Sequence, residues 1–515
     1  MQKIIKGLTV YKIGYGIGIA SLPDGKKVLI KGGALPSIVD VRVVKNKKDY
    51  IEAHLLEIRK YDEKIINGTP LCAHFFSPIW EQNQPAHKTG CGGCKWQVMT
   101  YESQLALKES IIKDAFSKLS KTHQINFLPI VGSPLEKGYR NKIEFSFGVY
   151  KQLNDAFKKA KKSTPEQELL DEGLEKYAVD SDFNIGFHKQ EFSKIVDVDS
   201  CGLISEKANQ VFAYFKKLCL ESGLPVYDQK THQGFFRHLV LREGVNTHQM
   251  MINLSVSNEN LSDEKGETQL REQFLEKIKA DSFLQDQVST MIISYNNGLA
   301  DVVNNPETEI KTFWEGSIYE KLFFTQKEGE CEAIFRIPSS FFQTNTLGAQ
   351  LLFSTAIKMA GKIEGNVLDL YCGAGSIGIS LLKQGLEELI GVEIVEKAII
   401  DAWHNAKING IEDHVFFVAS PAEKMLINYP ELETKIKNIG LVVIDPPREL
   451  HPNVISYLGN LKKEYQFKLL YISCNPITMA RDVELLSTEG FKFSQVQPID
   501  MFPQTHHIEC ITVLE

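Results

Sequence analysis

LDLYCGAGSIGI, residues 368–379, decides the reading of the fold. A hydrophobic run ends at Tyr371-Cys372, glycines follow at 373, 375 and 378, and an apolar helical pattern begins at once. Glycines so placed, after a strand and at the opening of a helix, let backbone approach a ligand at the strand's carboxyl end. Outward from this turn, strand-like and helix-like segments alternate. They are NVLDLYC at 366–372, GISLLKQ at 378–384, LIGVEIV at 389–395, a helix through AWHNAKING at 402–410, HVFFVAS at 414–420, LVVIDPP at 441–447 and KLLYISC at 468–474. That alternation predicts an α/β, doubly wound, Rossmann-like sheet over residues 333–515.

Glu393 closes the next strand, IGVE, where a carboxylate can accept hydrogen bonds from both hydroxyls of a ribose. Glycine turn and carboxylate together point to a nucleoside-bearing cofactor, with NAD and S-adenosylmethionine both open. IDPPRE at 444–449 separates them: a rigid acid-Pro-Pro turn suits methyl transfer to planar base atoms, and hydride transfer has no need of it. Cys474 ends the strand LLYISC at the same ligand-binding edge. A thiolate there can add to carbon 6 of a uracil and make carbon 5 nucleophilic, or it can be a small core residue. A lowered thiol pKa needs nearby positive charge, for which Arg448 is the candidate. The proton on carbon 5 must then leave, and Glu509 in the final strand, between Ile508 and Cys510, is the favoured base over His506 and His507.

The chain has 515 residues, 43% hydrophobic and 24% charged, with a net charge of −7. Its length predicts about three domains, and no apolar run is long enough for a membrane helix. The N-terminus shows no secretory pattern, so a cytoplasmic location is expected. Nine cysteines in such a chain suggest metal or catalytic use of some of them rather than a disulfide framework. The acidic average conceals a basic start, since residues 1–64 hold 13 Lys+Arg against 7 Asp+Glu. Their short strands and glycine turns predict a small, OB-like β-barrel, for RNA or for protein contacts. Residues 65–332 read as an α+β unit, with a charged surface insertion from Lys151 to about Asp182 and a helix near 203–221.

Seven strings, in order, make the reading specific: YRNKIEFSF, FFQTNT, LDLYCGAGSIGI, GVE, DPPR, YISCNPITMARD and MFPQTHHIE. Together they resemble the TrmA/RlmD family of RNA uracil-C5 methyltransferases. The resemblance implies that Gln343, Tyr371, Glu393 and Asp445 contact S-adenosylmethionine, that Cys474 is the nucleophile and that Glu509 is the base. The ribosomal-RNA branch is similar in two further respects, an N-terminal TRAM barrel, matching residues 1–64, and a cluster-binding cysteine set. On that analogy Cys72, Cys91, Cys94 and Cys201 hold a [4Fe–4S] cluster, with zinc as the alternative and His74 or His87 as substitutes for Cys72. Cys219, Cys331, Cys372 and Cys510 are assigned to packing. The segment Glu449-Leu450-His451-Pro452 replaces the family's glycine-containing continuation. The expected substrate is 23S rRNA, with no membrane and no obligate protein partner. Rival readings are a transfer-RNA enzyme, a cytosine-directed enzyme, and an RNA-binding iron–sulfur protein without catalysis.

Overall fold

The computed structural model describes the chain apart from residues 1–2, 15–16, 32–35, 62–64, 66–69, 76–90, 154–177, 189–194, 230, 259–266, 304, 306–307, 315, 327–328, 338–341 and 448. Side chains are also left undescribed at 149–153, 178–182, 325–326 and 329–330.

Six strands form the N-terminal unit: β1 (Ile4–Val10), β2 (Lys12–Gly14), β3 (Ile17–Ser21), β4 (Lys27–Lys31), β5 (Ser37–Asn46) and β6 (Tyr50–Tyr61), in the order β1-β5-β6-β4-β3-β2. Alternation does the sorting, because Val28 and Ile30 of β4, with Ala20 of β3, are fully buried while their neighbours face out. At Gly7 (φ 68) the β1–β5 register shifts, and the Gly7 N–H donates to Asp40 Oδ1 at 2.9 Å. A bulge of this kind bends the strand, and β1 comes round to touch β3, so the sheet curls towards a barrel.

Helix α1 (Tyr101–Ala115) starts at Thr100, whose side chain accepts from the Ser103 N–H. Its Ile111 joins Trp96, Val98 and Met99 in the barrel core. After α1 come β7 (Asn126–Phe127), β8 (Lys142–Leu153), β9 (Ala178–His188), β10 (Ile195–Asp197), helix α2 (Glu206–Glu221), β11 (Phe236–Gly244) and β12 (Gln249–Val256). Helices α3 (Glu267–Ala280) and α4 (Ser282–Gln287) lead to β13 (Thr290–Tyr295) and β14 (Glu309–Trp314). The central sheet is ordered β10-β9-β8-β11-β12-β13-β14. Its apolar face packs on α2, where Phe145 stacks on Phe212 with ring centroids 3.9 Å apart. The expected insertion is shorter than its composition suggests, because β8 and β9 pair as far as Leu153 and Ala178. Only the part between those residues lies outside the description.

Strands β15 (Ile318–Gln326) and β16 (Gly329–Ile337) form a hairpin. Leu322, Phe324, Phe335 and Ile337 bury themselves in the core of the C-terminal unit, so residue 333 lies inside a strand and not between units. Then follow α5 (Thr346–Ala360), β17 (Asn366–Leu370), α6 (Ser376–Lys383), β18 (Leu389–Glu393), α7 (Glu396–Ile408), β19 (Val415–Ala419), β20 (Ile439–Ile444), α8 (Pro452–Glu464), β21 (Lys468–Ser473), α9 (Pro476–Thr488), β22 (Gln495–Ile499) and β23 (Glu509–Leu514). The sheet order is β19-β18-β17-β20-β21-β23-β22-β7. The first five are parallel, and β23 runs antiparallel between β21 and β22. Five hydrophobic strands covered on both faces follow from near-continuous apolar runs such as KLLYIS. This is the doubly wound, Rossmann-like unit, with a strand topology modified at its end.

A buried ion pair ties the central segment to this sheet. Lys108 Nζ donates to Asp500 Oδ1 at 2.6 Å, with both side chains fully buried, and to the Phe502 carbonyl at 3.1 Å. Removing one partner of such a pair strands a buried charge, which costs about 3–5 kcal/mol. Lys108→Met is therefore expected to lose about that much unfolding free energy in urea. Lys108→Met/Asp500→Leu is expected to recover most of the loss, and a single variant as stable as the parent would contradict the assignment.

Candidate active site

The chain order reverses between β17 and β20, and a doubly wound sheet binds ligands in the crevice at that point, beyond the strands' carboxyl ends. Tyr371 follows β17 with φ 71, a conformation few tyrosines adopt, and its N–H donates to the Val392 carbonyl at 2.9 Å. The turn then passes through Gly373 (φ 55), where an added Cβ would meet nothing within 4 Å. That open space lets main chain face a ligand. Gly378 serves packing, because a Cβ there would lie 2.6 Å from Leu389. Its N–H donates to Asp369 Oδ2 at 3.0 Å. Burial pushes the Asp369 carboxyl up to about 8, and its Oδ1 has no hydrogen-bond partner among the described residues. An open glycine turn beside an orphaned buried oxygen is what a polar cofactor would complete.

Glu393 ends β18, half-buried. Oε2 accepts from the Gly373 N–H at 3.3 Å and Oε1 from the Val395 N–H at 2.9 Å, which fixes the carboxylate and leaves lone pairs for ribose hydroxyls. Asp445 follows β20, and burial pushes its carboxyl up to about 7. Gln343 stands before α5, where its carbonyl accepts from Asn141 Nδ2 at 2.9 Å. Two residues on, Asn345 Nδ2 donates to the Met501 carbonyl at 2.9 Å, so this segment adjoins the loop leading to Glu509.

Cys474 and Glu509 come together by topology. Ser473 of β21 pairs with Cys510 of β23, so Cys474, which directly follows β21, and Glu509, which opens β23, flank that last pair on the same side. An antiparallel final strand thus begins where the parallel strands end. Cys474 is half-buried and Glu509 only 7% exposed. Burial, then the charges of Glu509 and Asp445, push the Cys474 thiol up to about 11. Burial, then Asp445, holds the Glu509 carboxyl well above the usual carboxylate range. The expectation of a thiol lowered by Arg448 is not met by the described residues, and Arg448 itself lies outside them. Burial drives His506 down to about 3, and His507 is also lowered, which leaves His506 a weak base.

The unusual segment after Arg448 is held by α9. Leu450 N–H and Tyr471 Oη both donate to Asp482 Oδ2, at 3.0 and 2.7 Å, and Arg481 pairs with Glu449 at 2.6 Å and with Asp482 at 2.5 Å. Sequence reasoning gave Asp482, Gln104 and Lys108 no role. Their partners Tyr471, Gln504 and Asp500 lie 11, 400 and 392 residues away, and no local pattern announces such pairs.

Cys72, His74, Cys91, Cys94 and Cys201 line one small cavity. Cys72 Sγ accepts from the His74 N–H at 3.3 Å and Cys91 Sγ from the Gly93 N–H at 3.4 Å. His74 Nε2 accepts from the Asp199 N–H at 3.0 Å. His87 lies outside the described residues. Burial pushes the Cys91 and Cys94 thiols up to about 12, and the charges of neighbouring cysteines add to this. No three His, Cys, Asp or Glu side chains among the described residues reach metal-binding spacing, so the sulfurs surround the cavity without closing on a centre. The donor chemistry fits a thiolate-bound metal. Cys219, Cys372 and Cys510 are buried, as packing residues are, and Cys331 is half-buried.

Fold, glycine turn and acid-Pro-Pro loop define a Rossmann-like methyltransferase, and comparison with known proteins gives the class its substrate. Residues 318–515 match the family described as tRNA (uracil-5-)-methyltransferase. An RNA methyltransferase of Caldanaerobacter subterraneus is 30% identical over 98% of this chain and 96% of its own. One from Chlorobaculum tepidum is 30% identical over 96% and 92%. The crystal structure of Pyrococcus abyssi tRNA (uracil-54, C5)-methyltransferase with S-adenosyl-L-homocysteine shares the fold at a TM-score of 0.67 and 24% identity, covering 99% of this chain and 100% of that one. The chain belongs to the TrmA/RlmD family of RNA uracil-C5 methyltransferases, enzymes dependent on S-adenosylmethionine. No described helix is long and apolar enough to cross a membrane.

Proposed function

We propose that the protein methylates carbon 5 of a uridine in 23S rRNA, with Cys474 as nucleophile and Glu509 as general base. The observation that supports the chemistry is that Cys474 directly follows β21 and Glu509 opens β23, next to the Ser473–Cys510 pair, with the Glu509 charge acting on the Cys474 thiol. S-adenosylmethionine supplies the methyl sulfonium, and its positive charge offsets the anionic surroundings that hold the Cys474 thiol high. Tyr371, Gln343 and Asp445 border its site, and Glu393 accepts from the ribose hydroxyls. The target uridine is turned out of the RNA to reach the sheet edge. Cys474 Sγ adds to carbon 6, and carbon 5 takes the methyl group. Glu509 then removes the carbon 5 proton, the 5,6 double bond re-forms and the thiolate leaves.

In this reading residues 1–64 form a TRAM-type RNA-binding barrel, the central domain follows, and the catalytic domain begins with the β15–β16 hairpin at Ile318. Cys72, Cys91, Cys94 and Cys201 would hold a [4Fe–4S] cluster through four thiolates, or zinc in its place. Protein purified without oxygen is expected to carry about four iron and four sulfide per chain. One zinc and no iron would replace that reading.

A transfer-RNA target is the second reading, favoured by one observation: the P. abyssi transfer-RNA enzyme matches along the whole chain, barrel included. A barrel therefore does not separate the two substrates. Deleting the gene and mapping methyluridine by mass spectrometry decides it. The expected result is one 23S rRNA site lost with transfer RNA unchanged, and the reverse pattern establishes the second reading.

A further inference from the structure

Between residues 500 and 508 only Gln504 has a positive φ, 68°. It is 4% exposed, and each of its polar groups is engaged. Its N–H donates to Gln104 Oε1 at 2.8 Å, and its Oε1 accepts from Gln104 Nε2 at 2.9 Å. Its carbonyl accepts from the N–H groups of Lys95 and Trp96, at 3.1 and 3.2 Å. Its Nε2 reaches the Glu136 carbonyl at 3.5 Å. A residue held in the left-handed region by five hydrogen bonds is over-determined by its surroundings, and such positions mark places where geometry matters to function. Five residues later the chain enters β23 at Glu509. Cys474 is positioned independently, by β21 before it and by Asn475, which caps α9, after it.

We propose that Gln504, clamped by Gln104, is a positioning residue that sets where Glu509 stands for removal of the carbon 5 proton, leaving thiol addition and methyl transfer untouched. The proposal rests on Glu509 being the base. In the step concerned the C5–H bond breaks and the proton goes to the Glu509 carboxylate. The freed electron pair forms the 5,6 double bond and expels the Cys474 thiolate. Gln504 is 4% exposed and its polar atoms bond to α1 and the segments beside it, so its effect passes through the short segment to Glu509. A displacement near 1 Å at a reacting group lowers a rate by roughly a hundredfold.

The test uses Gln504→Asn, which tolerates the backbone conformation but is too short for the clamp, and Gln104→Leu on α1. The RNA is whichever transcript, 23S or transfer RNA, the unaltered enzyme methylates, made with uridine, with 5-deuterouridine and with 5-fluorouridine. Fluorine cannot leave as a cation, so the fluorinated RNA reports addition and methyl transfer alone. Both variants are expected to form the fluorinated adduct at the parent's rate. On ordinary RNA their kcat should fall by roughly ten- to a hundredfold with KM unchanged. A methylated covalent complex should accumulate, and 5-deuteration should slow turnover further. Adduct formation and turnover falling together, or neither falling, overturns the proposal. A methylated complex that accumulates in Glu509→Gln but not in Gln504→Asn overturns it alone. One that fails to accumulate in Glu509→Gln removes the base itself, and the proposal with it.

Discussion

Cys474→Ala is expected to form no covalent complex with 5-fluorouridine RNA and cofactor, and to lose turnover by a factor on the order of ten thousand or more. Carbon 5 of a uracil does not attack a methyl sulfonium unaided. Only when a nucleophile occupies carbon 6 does the ring become an enolate reactive at carbon 5, so no residual pathway carries the reaction. Cys474 directly follows β21, half-buried, and Glu509 opens the neighbouring β23. A small side chain at a strand end leaves the sheet intact, so the variant should fold like its parent. Denaturing gel electrophoresis of labelled RNA with enzyme reads the result directly, and an undiminished adduct in Cys474→Ala would sink the assignment.

Glu509→Gln is expected to do the opposite with ordinary RNA: the methylated adduct should form and persist, with kcat reduced roughly a hundred- to ten-thousandfold. Glutamine matches the shape of the acid and cannot take the proton. A second consequence follows from electrostatics. Burial raises the Cys474 thiol first, and the negative charge of Glu509 raises it further, to about 11 in all. Removing that charge lowers the thiol pKa, so the pH profile for alkylation of Cys474 by iodoacetamide should move to lower pH in Glu509→Gln. Stability moves with it. The raised carboxyl favours its protonated form in the fold, so the parent loses stability as pH rises from the unfolded-state value near 4.3 towards the folded one. Parent and variant should match at pH 4, with the variant the more stable at pH 8. An unmoved alkylation profile together with no trapped complex would remove Glu509 from the reaction.

The cofactor crevice was legible because its signals are local. Strand, glycine turn and helix are written within 368–379, and Glu393 and Asp445 each end a recognisable strand. Cys474 and Glu509 were legible as candidates, a thiol that can add and a base that can release it, but their adjacency was not. It depends on β23 entering the sheet antiparallel, and nothing in ECITVL states its neighbour or its direction. The clamp of Gln104 on Gln504 and the Lys108–Asp500 pair were invisible for a related reason. Each joins helix α1 to the last loop across about four hundred residues, and a glutamine or lysine inside a helical pattern reads as a solvated position. Sequence shows an arginine near the thiol and hides the burial and the charges of Glu509 and Asp445, which among the described residues push its pKa up.

The place of β23 also orders events during folding. Strand β22 precedes it in the chain, yet β23 lies between β21 and β22. The sheet therefore cannot be zipped up in the order of synthesis. Either β22 waits with its pairing edge open, or it must be pushed aside for the later strand, and non-local pairings of this sort are slow to form. In the proposed mechanism sulfur and carboxyl come together only when that strand is seated, so closing the sheet and acquiring reactivity would be one event, and a half-assembled molecule would have no paired thiol and base with which to react.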